Sequence, residues 1–297
     1  MVLATGGSRP QQLLAPYKQG RFSCPTFDRR SLSGVPGPPE FDIESPPFRV
    51  EPTPRWIRIR AGGEWIADSR KALLLSWHGP GTLPTYCLPA ESVRTDLLTP
   101  SMPDAAAPVG FMAPHDVRTN GEPIEMAAFL LRDPPPPFET ADAHWTFTWR
   151  DPRIEWYEEA TEVHVHARDP RHRVDAIPSE RHVRVEFDGE LLAESHRPLA
   201  LFESGLPTRW YLPAEDVRQE VLEPSNTATR CPYKGAARFL SVRLGEELHR
   251  DLAWSYPDPL HDALPVKDLV CFWVERTELS IDGIAVPRPW SPFTGIS

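Results

Sequence analysis

The stretch Thr229-Arg230-Cys231-Pro232-Tyr233-Lys234-Gly235 gathers a thiol, a phenol, an ammonium, a turn-forming proline and a permissive glycine into seven residues. A thiolate at Cys231, favoured by the nearby lysine, would be a nucleophile or a redox centre. Kept protonated, the same side chain is a small buried residue that anchors a turn. Lys234 presents a compact ammonium, and Gly235 lets the backbone turn closely beside it. That ammonium either meets an anionic ligand or pairs inside the protein with Glu203 or Asp216. Lysine is no ordinary surface filler here, because it occurs only at positions 18, 71, 234 and 267 against 28 arginines.

Further candidates surround this stretch. Glu203 closes the apolar run Leu199-Ala200-Leu201-Phe202, so its carboxylate is either directed inward for a purpose or faces water. Trp210, Tyr211, Trp254 and Tyr256 offer aromatic walls with polar handles, as ligand pockets do, although core packing accounts equally well for each of them. The candidate ligand-binding set is therefore Glu203, Tyr211, Cys231, Lys234, Trp254 and Tyr256. His164 and His166 stand two apart on a predicted strand and would share a face as a metal pair does. With no third ligand and with Glu162 and Arg168 beside them, they read as a solvated face. No metal and no cofactor is expected.

These side chains must be carried by strands. Trp56-Ile57-Arg58-Ile59-Arg60 alternates apolar and charged residues, Gly62-Gly63 turns, and Glu64-Trp65-Ile66-Ala67-Asp68 returns, which predicts a β-hairpin. His182-Val183-Arg184-Val185-Glu186, Asp188-Gly189 and Glu190 to Ser195 repeat the pattern. Downstream, Leu88 to Ser101 aligns with Leu212 to Ser225 at nine identical positions of fourteen, where average residue usage gives about one. The chain is an internal duplication. The tails are expected to correspond as Trp149 to Pro152 with Tyr256 to Pro259, and as Thr161 to Val165 with Thr277 to Ile281. Phe147 and Trp149 would then stand where Trp254 and Tyr256 do, and Trp77 where Glu203 does. The region Ser101 to Thr140, with its prolines at 134–137, takes the place of the Cys231 stretch. The first copy thus keeps the scaffold and loses the site.

Strands in the second copy are predicted at 182–187, 190–195, 199–204, 209–212, 236–243, 252–256, 268–274 and 277–281, with a short helical turn at each Pro-Ala-Glu-x-Val. The 36 prolines, about twice the usual ~5%, argue against long helices and for short strands with stiff turns. The fold class is mainly β, a tandem pair of small tent- or barrel-like domains with little helix. Residues 1–50 form a Pro-rich N-terminal arm, 51–172 a degenerate first domain and 173–297 the second, site-bearing domain.

A formal charge of −10 carries no general attraction to nucleic acid or an anionic bilayer, and the arginines are interleaved with carboxylates. No apolar run reaches the ~18 residues a membrane span needs. Cys24, Cys87, Cys231 and Cys271 lie far apart, as reduced thiols in a cytoplasm do. The chain lacks Asp-x-Asp, the Gly-x-x-x-x-Gly-Lys-Ser/Thr loop and Gly-x-Gly-x-x-Gly.

The second copy carries Ala193-Glu194-Ser195, Glu203-Ser204-Gly205-Leu206-Pro207, Trp210-Tyr211-Leu212-Pro213, Asp216-Val217, Cys231-Pro232-Tyr233-Lys234-Gly235, Ala253-Trp254-Ser255-Tyr256-Pro257-Asp258-Pro259 and Ile281-Asp282-Gly283. Through these motifs, residues 180 to 285 resemble the bacterial family catalogued as domain of unknown function 427, also labelled nucleotidyltransferase-like. Residues 50 to 170 resemble it through the hairpin, the Leu-Pro-Ala-Glu segment and the tail. The resemblance implies a β-tent fold with a polar cavity between sheets. The expected function is non-catalytic binding of a small polar or anionic molecule in the second domain. The alternatives are an enzyme, either a nucleotidyl transferase or a thiol-dependent one using Cys231, and a module that recruits a protein partner through the first domain or the arm.

Overall fold

The computed structural model describes residues 48–76, 83–102 and 109–291. The predicted arm and Trp77 lie outside the described residues, except that Arg49 and Val50 already belong to a strand.

Two hairpins set the pattern of each half. In the first, β2 (Ile57–Ala61) and β3 (Glu64–Ser69) are joined at Gly62 and Gly63, both with positive φ. In the second, β13 (Val183–Phe187) and β14 (Glu190–Ser195) are joined at Asp188 and Gly189, again both positive. A two-residue turn with both φ values positive matches the right-handed twist of its strands, which is why Gly-Gly and Asp-Gly stand there. Each hairpin shifts register at the equivalent place, between Ile59 and Arg60 and between Val185 and Glu186.

The remaining strands of the first repeat are β1 (Arg49–Pro52), β4 (Leu73–Ser76), β5 (Thr85–Pro89), β6 (Leu98–Pro100), β7 (Met112–Val117), β8 (Ile124–Leu131), β9 (His144–Phe147), β10 (Ile154–Glu158) and β11 (Thr161–Val163). Those of the second are β12 (Val174–Pro178), β15 (Leu199–Glu203), β16 (Arg209–Leu212), β17 (Leu222–Cys231), β18 (Gly235–Leu244), β19 (Glu247–Pro259), β20 (Val270–Phe272), β21 (Glu278–Ile281) and β22 (Ile284–Val286). Each repeat builds a seven-stranded and a four-stranded sheet. The orders are β1-β4-β5-β9-β8-β7-β6 with β11-β10-β2-β3, and β12-β15-β16-β20-β19-β18-β17 with β14-β13-β21-β22. Strand for strand the two lists are the same, so the duplication extends to topology. No sheet closes into a barrel.

One core fills the space between the sheets of each repeat. Ile57, Ile59, Ile66, Leu74, Leu88 and Trp156 pack in the first, and Val183, Val185, Leu192, Trp210, Leu212 and Phe272 in the second. Period-2 alternation sends the intervening residues to the outer face of each large sheet. There Leu75, Cys87, Met112, Phe129 and Leu131 meet Phe138 and Ala141, while Leu201, Tyr211, Trp254, Tyr256 and Cys271 meet Ala263 and Val266. The Pro-Ala-Glu segments form 3-10 turns, Ala90–Ser92 and Ala214–Asp216.

Strand register corrects the expected pairing of the tails. Phe147 lies opposite Ala128 as Phe272 lies opposite Ala253, so Phe129 and Leu131, not Phe147 and Trp149, are the counterparts of Trp254 and Tyr256. Trp149 follows β9 whereas Tyr256 lies within β19, so their shared Asp-Pro sits at different places in the fold. Thr161–Val163 is β11, the counterpart of β22, and β21 answers to β10. The four prolines at 134–137 follow β8 and correspond to the segment after β19. Of the region Ser101 to Thr140, the link between β6 and β7, residues 101–111, is what stands in chain order where the Cys231 stretch does. His164 and His166 follow β11 instead of lying on a strand; His164 stands 3.4 Å from Glu162.

Candidate functional site

The motif is the tip of the β17–β18 hairpin, closed where Cys231 pairs with Gly235. Gly235 has φ +97°, and an added Cβ would lie 3.2 Å from both Asp258 O and Leu260 N on the neighbouring chain segment. Glycine is therefore required by both conformation and space. The tip folds Lys234 over the outer face of the large sheet, where its Nζ donates to Glu203 Oε2 in a buried ion pair. The other carboxylate oxygen, Oε1, is 3.1 Å from His172 Nε2. Of the two readings of Glu203, the inward one holds: its side chain is 3% exposed. Asp216 is engaged elsewhere, by Ser195 and Arg197.

Burial pushes the Glu203 carboxyl up, but the His172 hydrogen bond and the Lys234 charge outweigh it and hold the group below its ordinary value. The carboxylate is ionised, as a buried pair with a charge-assisted bond on each oxygen should be.

The six candidates gather on one surface. Tyr211, Cys271 and Trp254 lie side by side across β16, β20 and β19, and Tyr256 follows Trp254 on the same face. The Tyr211 hydroxyl accepts the Trp254 indole N–H at 3.1 Å, and the Tyr211 and Tyr256 rings lie 6.4 Å apart. Burial raises both phenols, with nearby thiols and carboxylates acting in the same direction, so both remain neutral donors. Cys231 is half-buried. Its thiol is pushed up by desolvation, against a downward pull from Lys234 and from the Tyr233 and Lys234 backbone N–H groups. That direction disfavours the thiolate a nucleophile needs. Apart from Cys231, every member of the cluster is buried.

Sequence reasoning missed Arg209 and Glu275. Arg209 shares the face of Tyr211 and donates two hydrogen bonds to Glu275, at 2.6 and 2.7 Å. Its guanidinium also lies over the Trp254 and Trp273 rings, 5.6 and 5.1 Å from their centroids. The signal that picked out Glu203, comparison with the other copy, finds Arg209 too once the register is known, because Thr85 is its counterpart. His172 and Tyr233 were also missed as members. Tyr233 is buried, its ring stacks on His172 at 4.0 Å, and its hydroxyl accepts the Asp169 N–H at 2.8 Å. His172 gave no signal, since it lies in the connector between the repeats.

The same face of the first repeat holds Thr85, Cys87, Phe129, Leu131 and Thr146 where the second has Arg209, Tyr211, Trp254, Tyr256 and Cys271. Thr85 and Thr146 bond to each other at 2.9 Å, and the rest is apolar. None of these described residues of the first repeat carries a charge. The described residues contain no cluster of three or more metal-ligating side chains. They also include no helix long and apolar enough to cross a membrane.

The family described as Domain of unknown function (DUF427) matches residues 49–159 and again residues 175–283, one match to each repeat. The chain belongs to this family and carries its domain twice. No curated protein matches the sequence.

Proposed function

We propose that the second repeat binds a small polar or anionic molecule at the Lys234–Glu203 cluster, without catalysis. One observation carries this reading: the repeats share one topology, yet among the described residues only the second places an ammonium, a guanidinium, two carboxylates and two phenols on the outer face of its large sheet. Burying ion pairs stabilises a fold little or not at all compared with apolar packing, so their presence on the outer face of the second repeat, where the matching described residues of the first are uncharged, calls for another reason. Two phenolic hydroxyls, the ammonium and an imidazole are hydrogen-bond donors toward a ligand, and Glu203 is the acceptor that an incoming anion would replace. The half-buried thiol with its raised pKa gives the thiol-enzyme reading no comparable support. The spaced, unpaired Cys87, Cys231 and Cys271 are in keeping with a cytoplasmic protein.

Thermal unfolding of the full chain in rising inorganic phosphate, and separately in acetate, tests the proposal. A ligand at about 100 times its Kd adds about 2.7 kcal/mol, so a saturable rise in midpoint is expected for one of these anions. The rise should vanish in Lys234→Met. Equal shifts in wild type and Lys234→Met, or none with either anion, would sink the reading.

A further inference from the structure

The connector between the repeats, residues 164–173, lies against the motif and is held from both sides. On the first repeat, Ala167 N–H donates to Pro84 O at 3.0 Å, and Arg55 Nη1 donates to Arg168 O at 2.8 Å. Arg49 stands 3.5 Å from Asp169, and Arg171 Nη2 donates to Glu51 at 2.8 Å. On the second repeat, the Asp169 N–H meets the Tyr233 hydroxyl, while His172 stacks on Tyr233 and bonds Glu203.

Resting on the binding reading above, we propose that this connector is the movable wall of the Lys234 site. His172 is the positioning residue that holds Glu203 against Lys234. The first repeat, whose described residues hold no such charged cluster on the outer face, serves as the anchor that keeps the connector in place. The site therefore depends on both repeats, not on the second alone.

Three observations carry this. The connector contributes no strand to either large sheet, and apart from the Ala167–Pro84 and Ser204–Arg173 backbone bonds it is tied to the repeats through side chains; a segment outside the sheet ladders opens at less than the cost of global unfolding. Val165 has φ +76°, a conformation that β-branched residues rarely adopt, so a strained residue sits at the start of the wall. The contacts on Tyr233 and Glu203 end directly on the Lys234 cluster, whereas the anchors on Glu51, Pro84 and Arg49 are made to the first repeat.

Acetylation of amines in the full-length protein, read by mass spectrometry, tests the assignment without any ligand. Lys71 and Lys267 are exposed and act as internal references for the buried Lys234. In wild type, Lys234 should react roughly tenfold or more slowly than Lys71, as a group reached only through local opening does. The double variant Glu51→Gln, Asp169→Asn cuts anchors on the connector and leaves Lys234, Glu203 and His172 in place. It should speed acetylation of Lys234 roughly three- to tenfold with Lys71 and Lys267 unchanged. An unchanged Lys234 rate overturns the proposal. Cys87 and Cys271, fully buried with one in each repeat, report unfolding by reacting with iodoacetamide. If they react in the double variant, Tyr233→Phe decides instead, since it removes only the acceptor of the Asp169 N–H. A faster Lys234 there supports the proposal and an unchanged rate overturns it. Phosphate binding plays no part in this experiment, so the wall can fail while the binding reading stands, and the reverse.

Discussion

Replacing Lys234 by Met separates a pair retained for function from one retained for stability. The substitution leaves the Glu203 carboxylate 3% exposed with His172 as its one remaining partner. Removing one member of a buried pair typically costs about 3–5 kcal/mol, because the remaining charge has neither water nor its counter-ion. Since His172 keeps one of the two bonds, the lower end, about 3 kcal/mol, is expected for Lys234→Met. The double variant Glu203→Leu, Lys234→Met removes both charges and gives the face the apolar character of Leu75, Cys87, Phe129 and Leu131 in the first repeat. Such replacements are neutral or stabilising by about 1–4 kcal/mol. The double variant should therefore be at least as stable as wild type while the single variant is clearly weaker. Urea unfolding followed by tryptophan fluorescence reads the difference, since Trp210, Trp254 and Trp273 all lie in the second repeat. If the double variant is destabilised as much as the single one, the pair belongs to the scaffold and the contrast between the two repeats carries no functional meaning.

Acid should weaken the second repeat. Burial alone would raise Glu203 and Glu275, but hydrogen bonds and charge from His172, Lys234 and Arg209 hold both below the ordinary 4.5. A carboxylate with a depressed folded pKa stabilises above the unfolded value, and that contribution is lost as pH falls below it through the folded value. Stability should therefore fall below about pH 4.5, and Glu203→Gln should flatten the fall by up to about 1.4 kcal/mol per pH unit. Arg209→Lys keeps the charge but loses the two-pronged bond to Glu275 and the contact with the Trp254 and Trp273 rings; denaturation should show a loss of about 2–3 kcal/mol. Gly235→Ala forces a side chain into φ +97° against Asp258 and Leu260, and the same assay should show a loss of about 1–3 kcal/mol.

The scaffold was legible wherever local chemistry dictates it. Gly62-Gly63 and Asp188-Gly189 permit two positive φ values in a row, so both hairpins could be placed from sequence. Strands at 190–195 and 209–212 match the structure to the residue, because Pro and Gly punctuate their ends. β12, β17 and β22 were not anticipated. β17 is an edge strand of mostly exposed Ser, Thr, Asn and Arg that carries no apolar alternation, and β12 and β22 border their sheets. The tails mislead because Trp149 and Tyr256 share an Asp-Pro that only strand register can tell apart. At the site, Lys234 and Glu203 stood out by residue type and context. Arg209 hid among 28 arginines, and His172 acts from a connector whose position no local pattern encodes.

The two faces of each large sheet explain why the charges sit where they do. The inner face packs against the four-stranded sheet in both repeats, and a charge there would have to be paired within a core that two sheets share. The first repeat does bury one, Glu158, but it pairs with Arg55 and the Tyr86 hydroxyl beside the connector, where the core meets its edge. The outer face is covered instead by short 3-10 segments and by the connector, elements that lie outside the sheet ladders. A group that must exchange an internal partner for a ligand belongs under such a cover. Duplication supplies one outer face kept apolar beside a connector that is anchored, and one outer face free to carry Lys234, Glu203, Arg209 and Glu275. On the proposed reading, the anchored copy is required although the described residues of its own outer face that answer to the cluster carry no charge.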